Sequence, residues 1–294
     1  MMRVCIALLL TGCGSDRETW EDVEPGPVCE VAPTAKTQAR MGLQAAGLER
    51  TFRLTVPAAA AGERLPVLFA FHGGGGSGQP FPDQDEFDET GAIVVYPNGV
   101  AIGDNEGDWL LNTENTGNQD VAFVEAILSG LEARYCIDTN RTYATGYSLG
   151  SMYTYAVACQ LNARFAAVAS YAGTMPVDPA SCDLESPIAV MHIHGDLDEI
   201  IPYDSTWDWK AWDAVGTMQD IPGLVSYWGD KLSCSDVSQA DTSTGEHTVH
   251  SGCEGDVRGE HHRLADWDHW WPYTIADESA VDVIWGFLSE FSKG

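Results

Sequence analysis

Gly146-Tyr147-Ser148-Leu149-Gly150 is the string with the most specific chemistry in this chain. It directly follows Arg141–Thr145, which reads as a strand, and directly precedes Leu149–Gln160, which reads as a helix. A serine between two glycines at a strand-to-helix turn is the context of a nucleophile elbow. The turn is strained, and glycine at the flanking positions lets strand and helix approach. Ser148 Oγ would then stand above the sheet. The N–H of Leu149, at a helix N-terminus, could donate to an oxyanion.

A second oxyanion donor should come from a loop after an earlier strand. The apolar run Pro66–Phe71 is followed by His72-Gly73-Gly74-Gly75-Gly76-Ser77-Gly78. Such a loop turns bare backbone N–H groups toward the site, and Gly74 is the expected donor, with Gly73 and Gly75 as neighbours. A phosphate cradle would need the Lys-Ser/Thr pair of a P-loop, which this string lacks. A serine nucleophile also needs a base, and the base needs a carboxylate to orient it. The run His194-Gly195-Asp196-Leu197-Asp198-Glu199 follows a late apolar strand, and Asp196, Asp198 and Glu199 all qualify by position. Downstream bases are His247, His250, His261, His262 and His269. His261 and His262 lie in a polar alternating stretch that reads as a surface strand.

The elements that must position these groups follow from periodicity. Arg50–Val56 alternates as a half-buried strand does. Pro66–Phe71, Ala92–Tyr96, Phe165–Tyr171 and Ile188–His194 are short apolar runs, as in buried parallel strands. Asp120–Tyr135 and Ala276–Phe291 carry apolar residues at helical spacing. Alternating strands and helices predict an α/β fold, a mostly parallel central sheet with helices on both faces. One catalytic domain over 31–294 is the simplest organisation.

Composition narrows the partners. The 294 residues carry 15 Lys and Arg against 44 Asp and Glu, a net charge of −29. Nucleic acid is excluded as a partner, because phosphate binding needs basic clusters. Electrostatic docking on anionic lipid is excluded for the same reason. At the N-terminus, Val4–Leu10 is too short to span a bilayer and suits a short secretory signal. Leu10-Thr11-Gly12-Cys13 resembles a bacterial lipobox, which implies a signal over 1–12 and lipidation of Cys13. Residues 13–30 are acidic and Pro/Gly-containing, as a solvated tether would be. The expected location is the cell envelope or outside it, with membrane attachment only through Cys13. Six cysteines then remain, an even number that suits disulfides in an exported protein. The expected pairs are Cys29–Cys136, Cys159–Cys182 and Cys234–Cys253, of which only the last is favoured by a short loop.

Taken in order, HGGGGSG, GYSLGSM, HGDLDEIIPY and HWWP resemble the exported α/β-hydrolase esterases that include polyhydroxybutyrate depolymerases, feruloyl esterases and acetylxylan esterases. The likeness runs over about residues 48–290. In that group the acid is the fifth residue of H-G-x-x-D, which here is Asp198. The base is the histidine of H-x-W-P, which here is His269. The resemblance implies an α/β-hydrolase fold and a serine esterase acting on a small or polymer-derived ester, with no cofactor and no metal. The chain differs from the group's usual pattern at Leu149, where a polar residue is common.

Tyr147, Trp270 and Trp271 flank the expected nucleophile and base and are read as substrate-binding walls. Trp207, Trp209 and Trp212 could form an aromatic platform after the acid loop, and Trp228 is expected in the core. His192 and His194 alternate along one strand and read as core histidines more readily than as metal ligands. Asp104, Glu106 and Asp108 read as a solvated acidic loop. A monomer is expected. The rival classes are a serine peptidase on the same fold and an inactive hydrolase-fold binding protein.

Overall fold

The central strand Leu65–Phe71 is buried at every position, yet it still has two faces. Val67, Phe69 and Phe71 point into one core cluster, and Leu68 and Ala70 point into the other. A strand covered on both sides has no solvent face to keep polar, so its sequence loses the alternation of a half-exposed strand. These relations come from a computed structural model that describes residues 18–19, 29–75, 84–102, 105–111, 118–179, 182–209 and 215–294. The expected signal at 1–12, Cys13 and most of the tether at 13–30 lie outside the described residues, as do Gly76, Ser77, Gly78, Asp104 and Trp212.

The main sheet is built from β1 (Lys36–Ala45), β2 (Leu48–Val56), β3 (Leu65–Phe71), β4 (Ile93–Pro97), β5 (Ile137–Tyr147), β6 (Ala167–Tyr171), β7 (Ala189–Gly195), β8 (Asp236–Thr242), β9 (Gly245–Ser251) and β10 (Gly259–Leu264). Their order across the sheet is β1-β2-β4-β3-β5-β6-β7-β10-β9-β8. Pairing is parallel from β4 through β10 and antiparallel on both flanks, beyond which Glu18–Thr19 adds a short parallel strand against β1. Helices α1 (Gln119–Arg134), α2 (Leu149–Gln160) and α3 (Ile221–Lys231) cover one face, and α4 (Ala280–Ser289) covers the other. Local chemistry starts each helix where it is needed. Asn118 caps α1 through the N–H groups of Asp120 and Val121, and Asp220 caps α3 through that of Gly223.

Three expectations change. The last helix begins at Ala280 rather than Ala276, because Thr274–Ile275 and Glu278–Ser279 pair across a turn with Ala276 and Asp277 at positive φ. The stretch holding His261 and His262 is no surface strand. It is β10, parallel to β7 on one side and antiparallel to β9 on the other, and both histidines are buried. The segment read as a free tether meets the body twice. Glu18–Thr19 pairs with Met41 and Gly42 at the edge of β1, and Cys29 is bonded to Cys136. Cys159–Cys182 and Cys234–Cys253 form the other two disulfides, so all three expected pairs are present.

A buried ion pair joins the antiparallel end of the sheet to α1. Arg50 on β2 lies 2.7 Å from Asp120, and both side chains are fully enclosed. Arg50 also donates to the carbonyl of Asn98 and sits 4.1 Å above the Phe123 ring. Removing one partner strands a charge in the core, whereas removing both does not. Arg50→Leu should therefore cost about 3–5 kcal/mol in urea unfolding. The double variant Arg50→Leu/Asp120→Leu should recover much of that loss; a double variant as unstable as the single one would contradict this account.

Candidate active site

Ser148 sits between β5 and α2 with φ 53° and ψ −119°, a left-handed conformation that ordinary residues avoid. The neighbourhood over-determines it. Ser148 N–H donates to the Tyr171 carbonyl on β6, and the Ser148 carbonyl accepts from Met152 in the first turn of α2. A Cβ on Gly146 would overlap the backbone of Gly150, and one on Gly150 would overlap the carbonyl oxygens of Phe71 and His72. Both glycines of the motif are therefore spaces through which backbone passes.

His269 Nε2 lies 2.9 Å from Ser148 Oγ, and His269 Nδ1 lies 2.7 Å from Asp198 Oδ2. Asp198 Oδ1 accepts from the N–H groups of Ile200 and Ile201, each at 2.8 Å. Burial by itself would push this carboxyl up. Hydrogen bonds from His194, His269 and the Ile201 amide outweigh it and hold Asp198 well below the usual carboxylate range. The other candidates are engaged elsewhere. Asp196 pairs with Arg263 at 2.9 Å and accepts from Asp266 N–H, and Glu199 is exposed. His247 pairs with Glu260, His261 bonds Tyr203, His262 stacks on His247, and His250 packs against Gly229. Gly195 explains how the acid and histidine loops meet: a Cβ there would overlap the carbonyl oxygens of Trp267 and Asp268.

The glycine loop is set by His72. Gly99 N–H donates to His72 Nε2 at 3.0 Å, so Nδ1 carries the proton and donates to the Gly73 carbonyl at 2.7 Å. Burial brings the His72 imidazole down to about 4, which keeps it neutral. In a trans peptide the N–H points opposite to the carbonyl, so the Gly74 N–H faces away from His72. A Cβ on Gly74 would lie in ordinary contact with the Leu149 side chain, so the two residues are neighbours. The Gly75 N–H is taken by Asp108 at 3.0 Å.

Asp108 overturns its reading as part of a solvated acidic loop, and its place at the site is what sequence reasoning missed. It is buried beside the glycine loop, and burial raises its carboxyl above the ordinary value. The available signal was the adjacent Trp109, which is fully buried, stacks on Tyr153 and donates to the His72 carbonyl. A large apolar residue right after an acidic loop pulls the end of that loop inside.

These groups open onto a cleft of about 820 Å³ lined by Gly73–Gly75, Asp108, Tyr147, Ser148, Leu149, Met152, Ile200, Ile201, Trp207, Trp209, His269 and Trp270. Trp207 and Trp209 thus face the cleft, and Trp228 lies in the core. Trp270 is 65% exposed and also borders a neighbouring hollow with Leu197 and Tyr273. Trp271 corrects its expected role. It turns inward, edge-on to Tyr171 and Tyr147, so it backs the Tyr147 wall instead of lining the Ser148 cleft.

Among the described residues, His247, Glu260 and His262 form the group best spaced for a metal ion. As it stands it is an ion-paired cluster. Arg258 also binds Glu260, and the two imidazoles stack with nearly parallel planes, so their lone pairs run side by side. His192 and His194 are hydrogen-bonded to each other at 3.1 Å.

With a parallel sheet in this order, a strained serine elbow on β5 and the late acid and histidine loops, the topology is decided. The chain has the α/β-hydrolase fold. The acetyl xylan esterase of Aspergillus awamori superposes with a TM-score of 0.56 at 15% identity, covering 81% of this chain and 94% of that one. In sequence, a protein named as an esterase, NocK of Nocardia uniformis subsp. tsuyamanensis, is 32% identical over 198 residues, 64% of this chain and 55% of its own length. Feruloyl esterase C of Emericella nidulans is 34% identical over 148 residues, 47% of this chain and 50% of its own. The chain spans about half the length of these two relatives. The prolyl oligopeptidase family model matches residues 83–186, a stretch that contains Ser148.

The buried histidines have a consequence for pH stability. Burial holds His72 and His262 down to about 4, His261 down to about 3, and His192 well below its ordinary value. All four are neutral in the folded chain but would protonate near 6.5 once unfolded. Their contribution is thus complete above pH 6.5 and is lost as pH falls toward their folded values. Protonation of surface carboxylates acts oppositely, by relieving self-repulsion at net charge −29. In 1 M salt, which screens that repulsion, stability should fall between pH 7 and 5 by up to about 2 kcal/mol per buried histidine. Thermal melts that stay level or rise over that range would argue against neutral burial.

Proposed function

We propose that this protein is a serine carboxylic-ester hydrolase in which Ser148 is the nucleophile, His269 the general base and Asp198 the orienting carboxylate. The observation that carries the reading is the continuous hydrogen-bonded line Ser148 Oγ–His269–Asp198 at the floor of the cleft. In the forward step His269 Nε2 takes the Ser148 proton while Oγ attacks the ester carbonyl. The oxyanion sits between the N–H groups of Leu149 and Gly74. Collapse expels the alcohol, which leaves with the proton held on His269. Water, deprotonated by His269, then attacks the acyl-serine, and the proton returns to Ser148 Oγ. Asp198 remains an anion throughout and stabilises the imidazolium.

The cleft walls of Tyr147, Trp207, Trp209 and Trp270 suit an aromatic acyl group or the ring face of a sugar. The acidic surface disfavours anionic substrates. Feruloyl and acetyl esters of plant-cell-wall polymers are the substrate class these features favour, with polyhydroxyalkanoate esters as the alternative within the same chemistry. The resemblance of Leu10–Cys13 to a lipobox supports an exported, envelope-anchored enzyme held through Cys13, and the disulfides accord with an oxidising compartment. The match to the prolyl oligopeptidase model favours one second reading, a serine peptidase using the same three groups.

A substrate panel separates these. Purified protein should hydrolyse p-nitrophenyl acetate, methyl ferulate or acetylated xylan in a way that a serine-directed inhibitor abolishes. Ser148→Ala should lose at least about 10³-fold in kcat with an unchanged circular dichroism spectrum. Cleavage of peptide amides with no ester preference would favour the peptidase, and hydrolysis undiminished in Ser148→Ala would remove the nucleophile assignment altogether.

A further inference from the structure

Asp198 has a second buried imidazole on its outer side. His194, on β7, is fully enclosed, and its Nε2 lies 3.2 Å from Asp198 Oδ2 and 2.9 Å from the Ile201 carbonyl. Both neighbours can only accept, so His194 Nε2 carries a proton, and in the neutral tautomer Nδ1 is a lone pair. That lone pair faces His192 Nε2 at 3.1 Å, which must therefore donate. His192 Nδ1 is then the acceptor for the Tyr155 hydroxyl at 2.7 Å. The neighbouring ring obeys the same logic. His261 stacks on His192, donates from Nδ1 to the His192 carbonyl at 3.2 Å and accepts from the Tyr203 hydroxyl at Nε2. One set of neutral tautomers satisfies every contact, and the donors from Tyr155 through His192 to His194 all point toward Asp198.

We propose that His194, oriented by His192 and Tyr155, is a positioning residue that holds Asp198 ionised and aims its Oδ2 at His269. The proposal rests on the reading of Ser148, His269 and Asp198 given above. The physical need is plain. A buried carboxylate presents about four acceptor positions. Here Ile200 and Ile201 fill those of Oδ1, and His269 and His194 share Oδ2. Without His194 one position is left bare in a site that excludes water, so the anion is costlier and its orientation looser. The groups facing His194 are His192 on its own strand, Asp198 and Tyr203 on the following loop and His269 across Asp198; behind them, His261 on β10 and Tyr155 on α2 face His192. Burial and the adjacent imidazoles keep His192 and His261 neutral, so the chain of donors keeps its direction over the working pH range.

The test compares His194→Leu, which removes the donor, with His194→Gln, whose terminal amide N–H can stand in for Nε2–H. In His194→Leu, kcat for p-nitrophenyl acetate should fall about 10–100-fold with KM within about twofold. The acid limb of kcat/KM should move to higher pH, because losing the positive end of the N–H dipole favours protonated His269. His194→Gln should restore most of the rate and the position of the limb. Should the Leu variant fail to fold, His194→Asn, whose shorter amide cannot span the gap, takes its place. Proton NMR gives a readout independent of turnover: the deshielded His269 Nδ1–H resonance should shift upfield in the Leu variant and return in the Gln variant. An unmoved acid limb and an unmoved resonance, or a Gln variant no better than Leu, would overturn the positioning role. Loss of the nucleophile reading shows separately, as hydrolysis that survives Ser148→Ala.

Discussion

The close passage of β5 into α2 is the constraint on which the rest of this structure depends. Ser148 can hold φ 53° only because the Tyr171 carbonyl and Met152 N–H pin its backbone from both sides. That passage requires glycine at 146 and 150, where a side chain would meet backbone atoms. It also sets where α2 starts, with Ser148 as the N-cap and Leu149 as the first helical residue. Strain at this residue is stored by the sheet beneath it, since β3 and β6 flank β5 and both are buried on two faces.

Around that fixed point the loops are tied to one another more than to the core. His72 holds the Gly73 carbonyl while Asp108 holds the Gly75 N–H, so the glycine loop is clamped on both sides of Gly74. Trp267 Nε1 and the Tyr171 hydroxyl both donate to the Trp270 carbonyl, which fixes the turn that carries His269. Leu197 N–H donates to the Trp267 carbonyl and joins the acid loop to the histidine loop. A site on loops gains precision when its supports are hydrogen bonds between those loops and the strands that launch them.

The polar interior on the α3 side is unusual in composition but fully argued by its partners. His192, His194 and His261 replace apolar side chains on β7 and β10, and each contact among them has a donor and an acceptor. Such a network costs desolvation that an apolar core would not, and its return is a defined orientation. The orientation it defines is that of Asp198.

The sequence by itself determined much of the scaffold. The bounds of α2, the buried runs of β3, β4, β6 and β7 and the elbow at Ser148 are all legible, because each rests on local spacing and on residue types that only that spacing suits. The choice of Asp198 and His269 needed family resemblance, since position alone left three acids and five histidines open. Tertiary structure decided the rest. The alternation of GEHHRL reads as a surface strand, but partners on β7 and β9 bury it, and periodicity cannot see across a sheet. Trp270 and Trp271 look equivalent in the chain, yet one faces the cleft and the other the core. Asp108 reaches the Gly75 N–H from 33 residues away in sequence, and Tyr155 reaches His192 from 37 residues away. Hydrogen-bond satisfaction in a buried site is a property of the assembled neighbours, and no local pattern carries it.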